Sequence, residues 1–404
     1  MPEAVIVSAA RTPIGRANKG SLKDFRPDDL TALIVKAALD KIPALDPNDV
    51  NDLILGCGLP GGEAGNNMAR IVTTLMGYEI PGTTLTRYCA SSVQTTRNAF
   101  HAIKAGEGDV YISAGVETVS RYQFGTSDHI PNTKNPLFAD AQARTEEYAK
   151  GGQDWHDPRE DGLLPDIYIA MGQTAENVAR MRGLKREELD EFGVRSQNLA
   201  EKAINDGFWE REITPVTLAD GTVVSKDDGP RAGVTYEAVS QLQPVFRPDG
   251  VVTAGNCCPL NDGAAAVVIM SDTKAKELGL TPLARIVSTG VTGLSPEIMG
   301  LGPVEATKQA LEHANMTIGD IDLVEINEAF AAQVVPSYQD LGIDIDRLNV
   351  NGGAIAIGHP FGMTGARLQN TMLNSLQWHD KSTGLITMCV GGGQGMALIL
   401  ERLS

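Results

Sequence analysis

Apolar runs alternate with helix-like segments along most of the chain, and the alternation occurs twice. The first run, AVIVSAARTPIG, predicts a buried strand followed by a turn, and LTALIVKAALDKIPALDPNDVNDLILGCG predicts a helix, an acidic turn and another strand. Near residue 284, LARIVSTGVTG repeats the opening strand, and PVEATKQALEHANMTIGDIDLVEINEAF repeats the helix, turn and strand. Strands alternating with amphipathic helices predict an α/β protein of two duplicated halves, each a mixed sheet covered by helices.

The correspondence extends to the end of each half. CASSVQTTRNAFHAIKAGEGDVYISAGVE predicts a small-residue turn, a helix and a strand, and GHPFGMTGARLQNTMLNSLQWHDKSTGLITMCVGGG predicts the same series. In the second copy the glycines then lead directly into GMALILERL, as in a hairpin, whereas in the first copy residues 121–250 precede the matching strand GAAAVVIMSD. We therefore predict a first half of residues 1–120 plus 251–273, an inserted loop domain of residues 121–250 over the site, and a second half of residues 274–404.

Composition narrows the function classes. The chain has 404 residues and a net charge of −17, which argues against nucleic-acid or anionic-membrane binding, since either needs a basic face. No apolar run approaches the length of a membrane span, and the N-terminus lacks the basic start of a signal peptide. The five cysteines are odd in number and scattered, which favours a reducing compartment, and we predict the cytoplasm.

Two cysteines lie where a reactive thiol could form. Cys89 precedes a helix that begins with small residues, so the helix dipole is expected to favour its thiolate. Cys389 follows an apolar strand and precedes VGGGQG, whose unobstructed amides could form an oxyanion hole. A buried structural cysteine and a simple hairpin turn are the alternative interpretations of these two positions.

A histidine and an asparagine complete the candidate chemistry. Among the six histidines, only His359 is surrounded by several residues that restrict the backbone, in NGGAIAIGHPFGMTGAR. Asn327 ends an apolar strand, where α/β ligand sites form, although it could also cap the next helix. The repeat places Cys89 and His359 at the heads of equivalent helices, so pseudo-twofold packing would bring them together as an activated thiol. The second cysteine, Cys389, adds a proton donor and acceptor that a protease does not need.

Four sequence blocks, RYCASSVQTT, NEAF, NGGAIAIGHPFGMTGAR and CVGGGQG, resemble in order and spacing the signatures of the thiolases, which are acyl-CoA C-acyltransferases. The resemblance covers essentially the whole chain and implies a duplicated thiolase-type fold. It implies Cys89 as the acylated nucleophile, His359 as its base and Cys389 as the acid/base acting on the acetyl carbon. Asn327 would hold a water beside His359, and the amides of Cys89 and Gly391 would form a second oxyanion hole.

The implied reaction is cleavage of a 3-oxoacyl-CoA by CoA, giving acetyl-CoA and a shortened acyl-CoA. CoA is then a substrate, no cofactor is permanently bound, and no metal site is predicted because no metal-ligand spacing is present. Thiolases commonly form homodimers or homotetramers, so the same is expected here. Positions implied to contact the acyl-CoA are Met171, Arg231, Ala254, Cys258, Met299 and Phe330.

Three departures from the family pattern affect the interpretation. Ser92 occupies a position that is usually glycine, which questions the local backbone fit. Ala170 stands where acetoacetyl-CoA-selective members often have histidine, and the smaller residue favours longer or bulkier acyl chains. Cys257, Cys258 and Pro259 replace a small-residue stretch at the CoA arm, so this pair is expected to be a tunnel wall rather than a vicinal disulfide or metal site.

Four other functions remain as alternatives. One is an acetoacetyl-CoA thiolase working in the condensing direction, and another is a related condensing enzyme, which would usually carry Cys with two His, or His with Asn, instead of Cys389. A non-catalytic lipid carrier would not need all four blocks. A cysteine hydrolase using Cys89, Asn327 and His359 would leave the repeat unexplained, and the papain-type context Cys-Gly-Ser-Cys-Trp is missing.

Overall fold

The computed structural model describes residues 2–125 and 130–404. The strands are β1 (Ala4–Arg11), β2 (Gly15–Arg16), β3 (Asp52–Cys57), β4 (Gly82–Leu85), β5 (Val110–Thr118), β6 (Val216–Thr217), β7 (Val223–Val224), β8 (Asn261–Ser271), β9 (Ala284–Gly293), β10 (Leu323–Ile326), β11 (Thr383–Val390) and β12 (Gln394–Arg402). The helices are α1 (Pro27–Asp40), α2 (Met68–Leu75), α3 (Ser91–Ala105), α4 (Ala139–Ala149), α5 (Met171–Arg182), α6 (Arg186–Asn205), α7 (Tyr236–Val239), α8 (Asp272–Glu277), α9 (Gly302–Ala314), α10 (Ala331–Asp340), α11 (Ala354–Ile357) and α12 (Thr364–Trp378).

The sheet repeats one strand order on either side of its centre. Strands β1, β8, β5 and β3 follow one another in the first half, as β9, β12, β11 and β10 do in the second. In each half the first two strand pairings of this series are antiparallel and the third is parallel. This confirms the predicted duplicated α/β fold with mixed sheets. The two sheets are continuous, because β1 pairs with β9 over two residues, Val5 opposite Arg285 and Ile6 opposite Ala284.

Alternating side chains of β1 face two different cores, as the two-residue period of a strand requires. Val5 and Val7 pack with Ile34 of α1 in one core. Ile6 packs in a second core, which contains Val93 of α3 together with residues of α12. A third core lies on the far side of the second half, where β12 meets α9 and α10.

The middle core brings together the starts of α3 and α12, one helix from each half. The two helices contact each other, and α12 also contacts strands β1, β5 and β8 of the first half. Their close approach depends on Gly365, because a Cβ there would lie 2.3 Å from the backbone nitrogen of Val93. The residues at the N-terminal ends of α3 and α12 therefore lie in the same part of the structure.

The chain between β5 and β8 contributes α4–α7 and the small β6–β7 ladder. Helix α5 ends at Gly183, whose φ of 61° is the left-handed conformation expected of a terminating glycine. Helices α5 and α6 pack against α10, and α6 also contacts α11. The division of the chain at residues 120, 250 and 273 stays a prediction. Within the described ranges, no helix has the length and apolar character needed to cross a bilayer.

Candidate active site

Cys89 lies in the single helical turn Tyr88–Ala90 that leads into α3. Its side chain is buried, and burial raises the pKa of the Cys89 thiol to about 12, although the backbone N–H groups of Gly391 and Cys89 itself lower it. The N–H donors at the helix terminus favour the thiolate, as expected, but desolvation of the sulfur outweighs them. Cys89 rests as a thiol and needs a base.

A cavity of about 640 Å³ opens onto Cys89. Its wall includes Met171 and Gly391, two of the positions predicted from the sequence, and also Ala170. Most of the remaining wall is apolar, as expected for an acyl group. Residues that had not been predicted in this wall include Leu59, Thr133, Lys134, Ile167, Tyr168, Ile169 and Phe361.

His359 follows α11 in a turn that the first half of the chain holds in place. Its backbone N–H donates to Oδ1 of Asn261 at 2.9 Å, and the Nδ2 of Asn261 donates to the carbonyl of Gly15 at 3.0 Å. Gly358 adopts a φ of 112°, and a Cβ there would lie 2.7 Å from the Asn261 side chain. The glycine before the histidine is therefore required by both the backbone conformation and the close approach.

The protonation of the His359 ring follows from its neighbours. The Thr364 hydroxyl donates to the carbonyl of Pro360 at 2.7 Å, so its oxygen must accept from Nδ1–H of His359, which is 2.6 Å away. Nε2 is then the acceptor and faces Nδ2 of Asn327 at 3.3 Å. Burial lowers the pKa of His359 to about 3, with a further contribution from the charge of Arg367. The imidazole is neutral, with its lone pair on Nε2 directed at the Asn327 amide.

Cys389 is the next-to-last residue of β11 and is fully buried. Its thiol donates to Oε1 of Gln333 at 3.0 Å, and Nε2 of Gln333 donates to the backbone carbonyl of Asn327 at 3.2 Å. Burial raises the pKa of Cys389, and negative charge on Cys89 raises it further, so the two sulfurs interact electrostatically. The structure thus joins two pairs, Cys389 with Gln333 and Asn327 with His359, through the backbone of Asn327.

The other predicted contact residues lie away from the cavity wall. Met299 is fully buried, and Phe330 packs edge-on against Phe246 with ring centroids 6.1 Å apart, so both are part of the third core. Arg231 and Ala254 are exposed. Their contact with an acyl-CoA stays a prediction.

The paired cysteines run alongside the NEAF segment. Cys257 forms a bridge with Phe330, and the N–H of Cys258 donates to the carbonyl of Ala329 at 3.0 Å. Both thiols are free, and in the part of the chain that the structure describes no cluster of three or more His, Cys, Asp and Glu residues could hold a metal. Burial raises the pKa of Cys258, as do the neighbouring sulfurs of Cys89 and Cys389. The charge of Cys257 raises the pKa of Cys258 as well, so Cys258 is in electrostatic contact with three other sulfurs.

Ser92 fits its unusual position by making a hydrogen bond. Its Oγ accepts the N–H of Ala366, the third residue of α12, at 2.8 Å. This serine on α3 therefore satisfies one of the free N–H groups at the start of α12, the helix that follows His359.

Two residues with direct contacts were missed in the sequence, Gln333 and Thr364. Thr364 lies inside the block that contains His359, at the start of the helix. Gln333 is the only polar residue in AFAAQVV, an apolar stretch that follows Asn327. A polar residue inside such a stretch signals a buried hydrogen bond, and this signal could have identified it.

Comparison with known proteins agrees with this architecture. Residues 4–273 match the thiolase N-terminal domain and residues 280–402 the thiolase C-terminal domain. A 3-ketoacyl-CoA thiolase of Bacillus subtilis (strain 168) is 41% identical over 99% of this chain and 100% of its own length. An acetyl-CoA acetyltransferase of Escherichia coli (strain K12) is 42% identical over the full length of both chains.

Solved thiolase structures also superpose on this chain over nearly its whole length. The dimeric peroxisomal thiolase of Saccharomyces cerevisiae superposes with a TM-score of 0.88 and 34% identity, covering 99% of this chain and 98% of that one. The acetyl-CoA acetyltransferase of Bacillus anthracis superposes with a TM-score of 0.86 and 37% identity, covering 100% and 99%. With both domains matched, relatives aligned along their whole length and the duplicated fold in common, this chain belongs to the thiolase family.

Proposed function

We propose that this acyltransferase cleaves 3-oxoacyl-CoA with CoA, producing acetyl-CoA and an acyl-CoA shortened by two carbons. The observation that carries the proposal is the cavity at Cys89, whose sulfur receives the Gly391 N–H and lies near a second thiol, Cys389. A neutral histidine, His359, is connected to Cys389 by hydrogen bonds through Asn327 and Gln333. One thiol can accept the acyl group while the other transfers a proton to or from the carbon atom.

In the first step the Cys89 sulfur attacks the 3-oxo carbon as its proton passes to Nε2 of His359. The Thr364 hydroxyl supports this transfer, because it accepts from Nδ1–H and keeps Nε2 free. Charge then develops on the former ketone oxygen, and the N–H groups of Cys89 and Gly391 are the proposed donors to it. The bond between the second and third carbons breaks, and its electron pair leaves as the acetyl-CoA enolate.

In the second step the Cys389 thiol gives its proton to the enolate carbon, which releases acetyl-CoA. The Cys389 thiolate then takes the thiol proton of an incoming CoA, and the CoA sulfur attacks the acyl group on Cys89. The new acyl-CoA leaves as the bond to Cys89 breaks, and the Cys89 sulfur takes back the proton held by His359. Asn327, beside Nε2 of His359, is placed to help stabilise the thioester oxygen. CoA is consumed as a substrate, and the two half-reactions predict ping-pong kinetics.

The test is acid quenching after brief mixing with a 3-oxoacyl-CoA in the absence of CoA, followed by peptide mass spectrometry. We expect the acyl group on Cys89, none on any peptide of Cys89→Ser, and normal labelling in Cys57→Ser, a matched variant of another buried cysteine. Cys389→Ala should lose carbon–carbon cleavage but still exchange acyl groups between Cys89 and CoA, because in that exchange His359 alone can carry the proton between the two sulfurs. An active enzyme with an unmodified Cys89 would refute the proposal, and acyl binding without any turnover would indicate a lipid carrier.

The similarity to an acetyl-CoA acetyltransferase makes condensation of two acetyl groups the second candidate, since it uses the same residues in reverse. We favour cleavage of longer chains because Ala170, a small residue, lines the cavity. Rates over a series of 3-oxoacyl-CoA chain lengths discriminate between the two. Activity confined to acetoacetyl-CoA would reverse this choice.

Assembly and location are also proposals. A homodimer or homotetramer is expected because a structural relative is described as dimeric. We place the protein in the cytoplasm because all five cysteines are free thiols, as in a reducing compartment. The acidic net charge of −17 favours small-molecule substrates over nucleic acid.

A further inference from the structure

The Cys389 thiol has one side-chain partner among the described residues, the amide of Gln333 on α10. Gln333 is fully buried. Its position is tightly defined, since a Cβ on the neighbouring Gly300 would lie 2.8 Å from the Cβ of Gln333. The Ser337 hydroxyl donates to the Gln333 carbonyl at 2.6 Å, one turn further along the helix. These contacts fix the backbone and Cβ of Gln333, so the side chain starts from a well-defined position beside Cys389.

The orientation of this amide follows from its other contact. Nε2 of Gln333 faces the backbone carbonyl of Asn327, which can only accept, at 3.2 Å. The amide atom 3.0 Å from Sγ of Cys389 is therefore the oxygen. An oxygen acceptor pairs with S–H and is repelled by S⁻, so this contact favours the protonated form of Cys389.

We propose that Gln333 is a positioning residue that holds Cys389 as a proton donor for the carbon–carbon cleavage step. The inference rests on the proposed function and adds to it a residue that acts through Cys389. In the cleavage step the S–H bond of Cys389 breaks, its proton bonds to the enolate carbon, and the electron pair stays on sulfur. The thiolate then faces the amide oxygen without a proton between them, which favours its return to the thiol form.

The test separates the two half-reactions in Gln333→Met, which removes the hydrogen bond and keeps a similar volume. Carbon–carbon cleavage should slow by about tenfold, as expected for losing a buried hydrogen bond, while acyl exchange at Cys89 stays within about twofold of the unsubstituted protein. The matched control is Gln369→Met. Gln369 is an equally buried glutamine, and its amide bonds to Thr96 and to the carbonyl of Gly365 instead.

A second measurement distinguishes proton control from packing. The rate at which iodoacetamide alkylates Cys389 is followed against pH by peptide mass spectrometry in the Cys89→Ala background. Gln333→Met should move the alkylation profile to lower pH, whereas Gln333→Glu, which keeps an oxygen acceptor beside the sulfur, should leave it unchanged or move it to higher pH. Loss of packing alone would not separate the two variants in this way.

The outcomes distinguish this inference from the proposed function. If Cys89 acquires the acyl group but Gln333→Met slows both half-reactions equally, or behaves like Gln369→Met, Gln333 has only a structural role and the inference is wrong. Unshifted alkylation profiles in both Gln333 variants would also overturn it. If Cys89 is never acylated in active enzyme, the proposed function fails instead.

Discussion

Replacing Thr364 by valine should disable the base while leaving every proposed reacting group in place. In the native protein the Thr364 oxygen accepts Nδ1–H of His359 at 2.6 Å, and this contact fixes the lone pair on Nε2. Valine has the same shape as threonine but cannot accept. The buried Nδ1–H is left unpaired, or the ring proton moves to Nε2, where it occupies the site that must receive the Cys89 proton.

The size of the effect follows from the cost of an unpaired buried donor. His359 is 1% exposed, so water cannot easily replace the hydroxyl. Leaving such a donor unpaired costs about 1–3 kcal/mol. Since about 1.4 kcal/mol corresponds to tenfold in rate, acylation of Cys89 should slow by roughly 5- to 150-fold.

The assay is stopped-flow measurement of the acylation step with saturating 3-oxoacyl-CoA. Thr364→Ser keeps the hydroxyl and is the matched control, expected to stay within about threefold of the unsubstituted enzyme. A valine variant that acylates as fast as the serine variant would refute the reasoning, because His359 would then not depend on this contact for its tautomer.

Two further predictions concern stability. Because the pKa of His359 is about 3 in the folded protein, against about 6.5 in an unfolded chain, the unfolded state binds a proton that the folded state excludes. Stability is therefore lost as pH falls below about 6.5, and the free energy of unfolding should drop by about 2 kcal/mol between pH 7 and pH 5. In urea unfolding, His359→Gln should show a drop that is smaller by about 2 kcal/mol over the same interval. Equal drops in the two proteins would contradict the buried neutral imidazole. Ser92→Ala removes the acceptor for the Ala366 N–H and should lower the free energy of unfolding by about 1–2 kcal/mol. Ser92→Gly should lower that free energy further. An unchanged urea midpoint for Ser92→Ala would show that another group replaces this hydrogen bond.

The strands and the duplication were predictable because each depends on local pattern. The buried strands appear in the sequence as apolar runs. The pairing of β1 with β9 was not predictable, because it rests on two residues at the edges of two sheets, and no local pattern distinguishes that edge from another. The prediction of two sheets is therefore correct for each half and incomplete for the whole chain.

The candidate site shows the same division between local and non-local information. Sequence blocks pointed to Cys89, His359 and Cys389 as candidates. Cys89 precedes a helix that begins with small residues, whereas His359 and Cys389 lie in glycine-rich stretches. The protonation of Cys89 could not be predicted correctly, because the helix dipole can be inferred locally whereas desolvation depends on everything that packs around the sulfur. The partner of Cys389, Gln333, is 56 residues away along the chain, so only the folded structure brings the two together.

The duplication also explains why only one half supplies the proposed carbon acid/base. Cys389 is next to last in its strand and lies opposite Gly395, and Glu117 is next to last in the matching strand and lies opposite Gly263. The two positions are equivalent, but their surroundings differ. Glu117 accepts three backbone N–H bonds, at 2.7, 2.8 and 3.3 Å, and a Tyr122 hydroxyl at 2.8 Å.

Those hydrogen bonds indicate a structural role for Glu117. Two of the backbone donors, Gly58 and Leu59, line the cavity, and the third, Gly362, lies in the turn after His359, so the carboxyl group links the cavity wall to the proposed base. Burial raises the pKa of Glu117 while these donors lower it, so a proton on this carboxyl group would disturb several fixed hydrogen bonds, whereas the Cys389 thiol has a single hydrogen bond to give up. We therefore expect one copy of the duplicated position to hold the site together and the other to carry out the proton transfer.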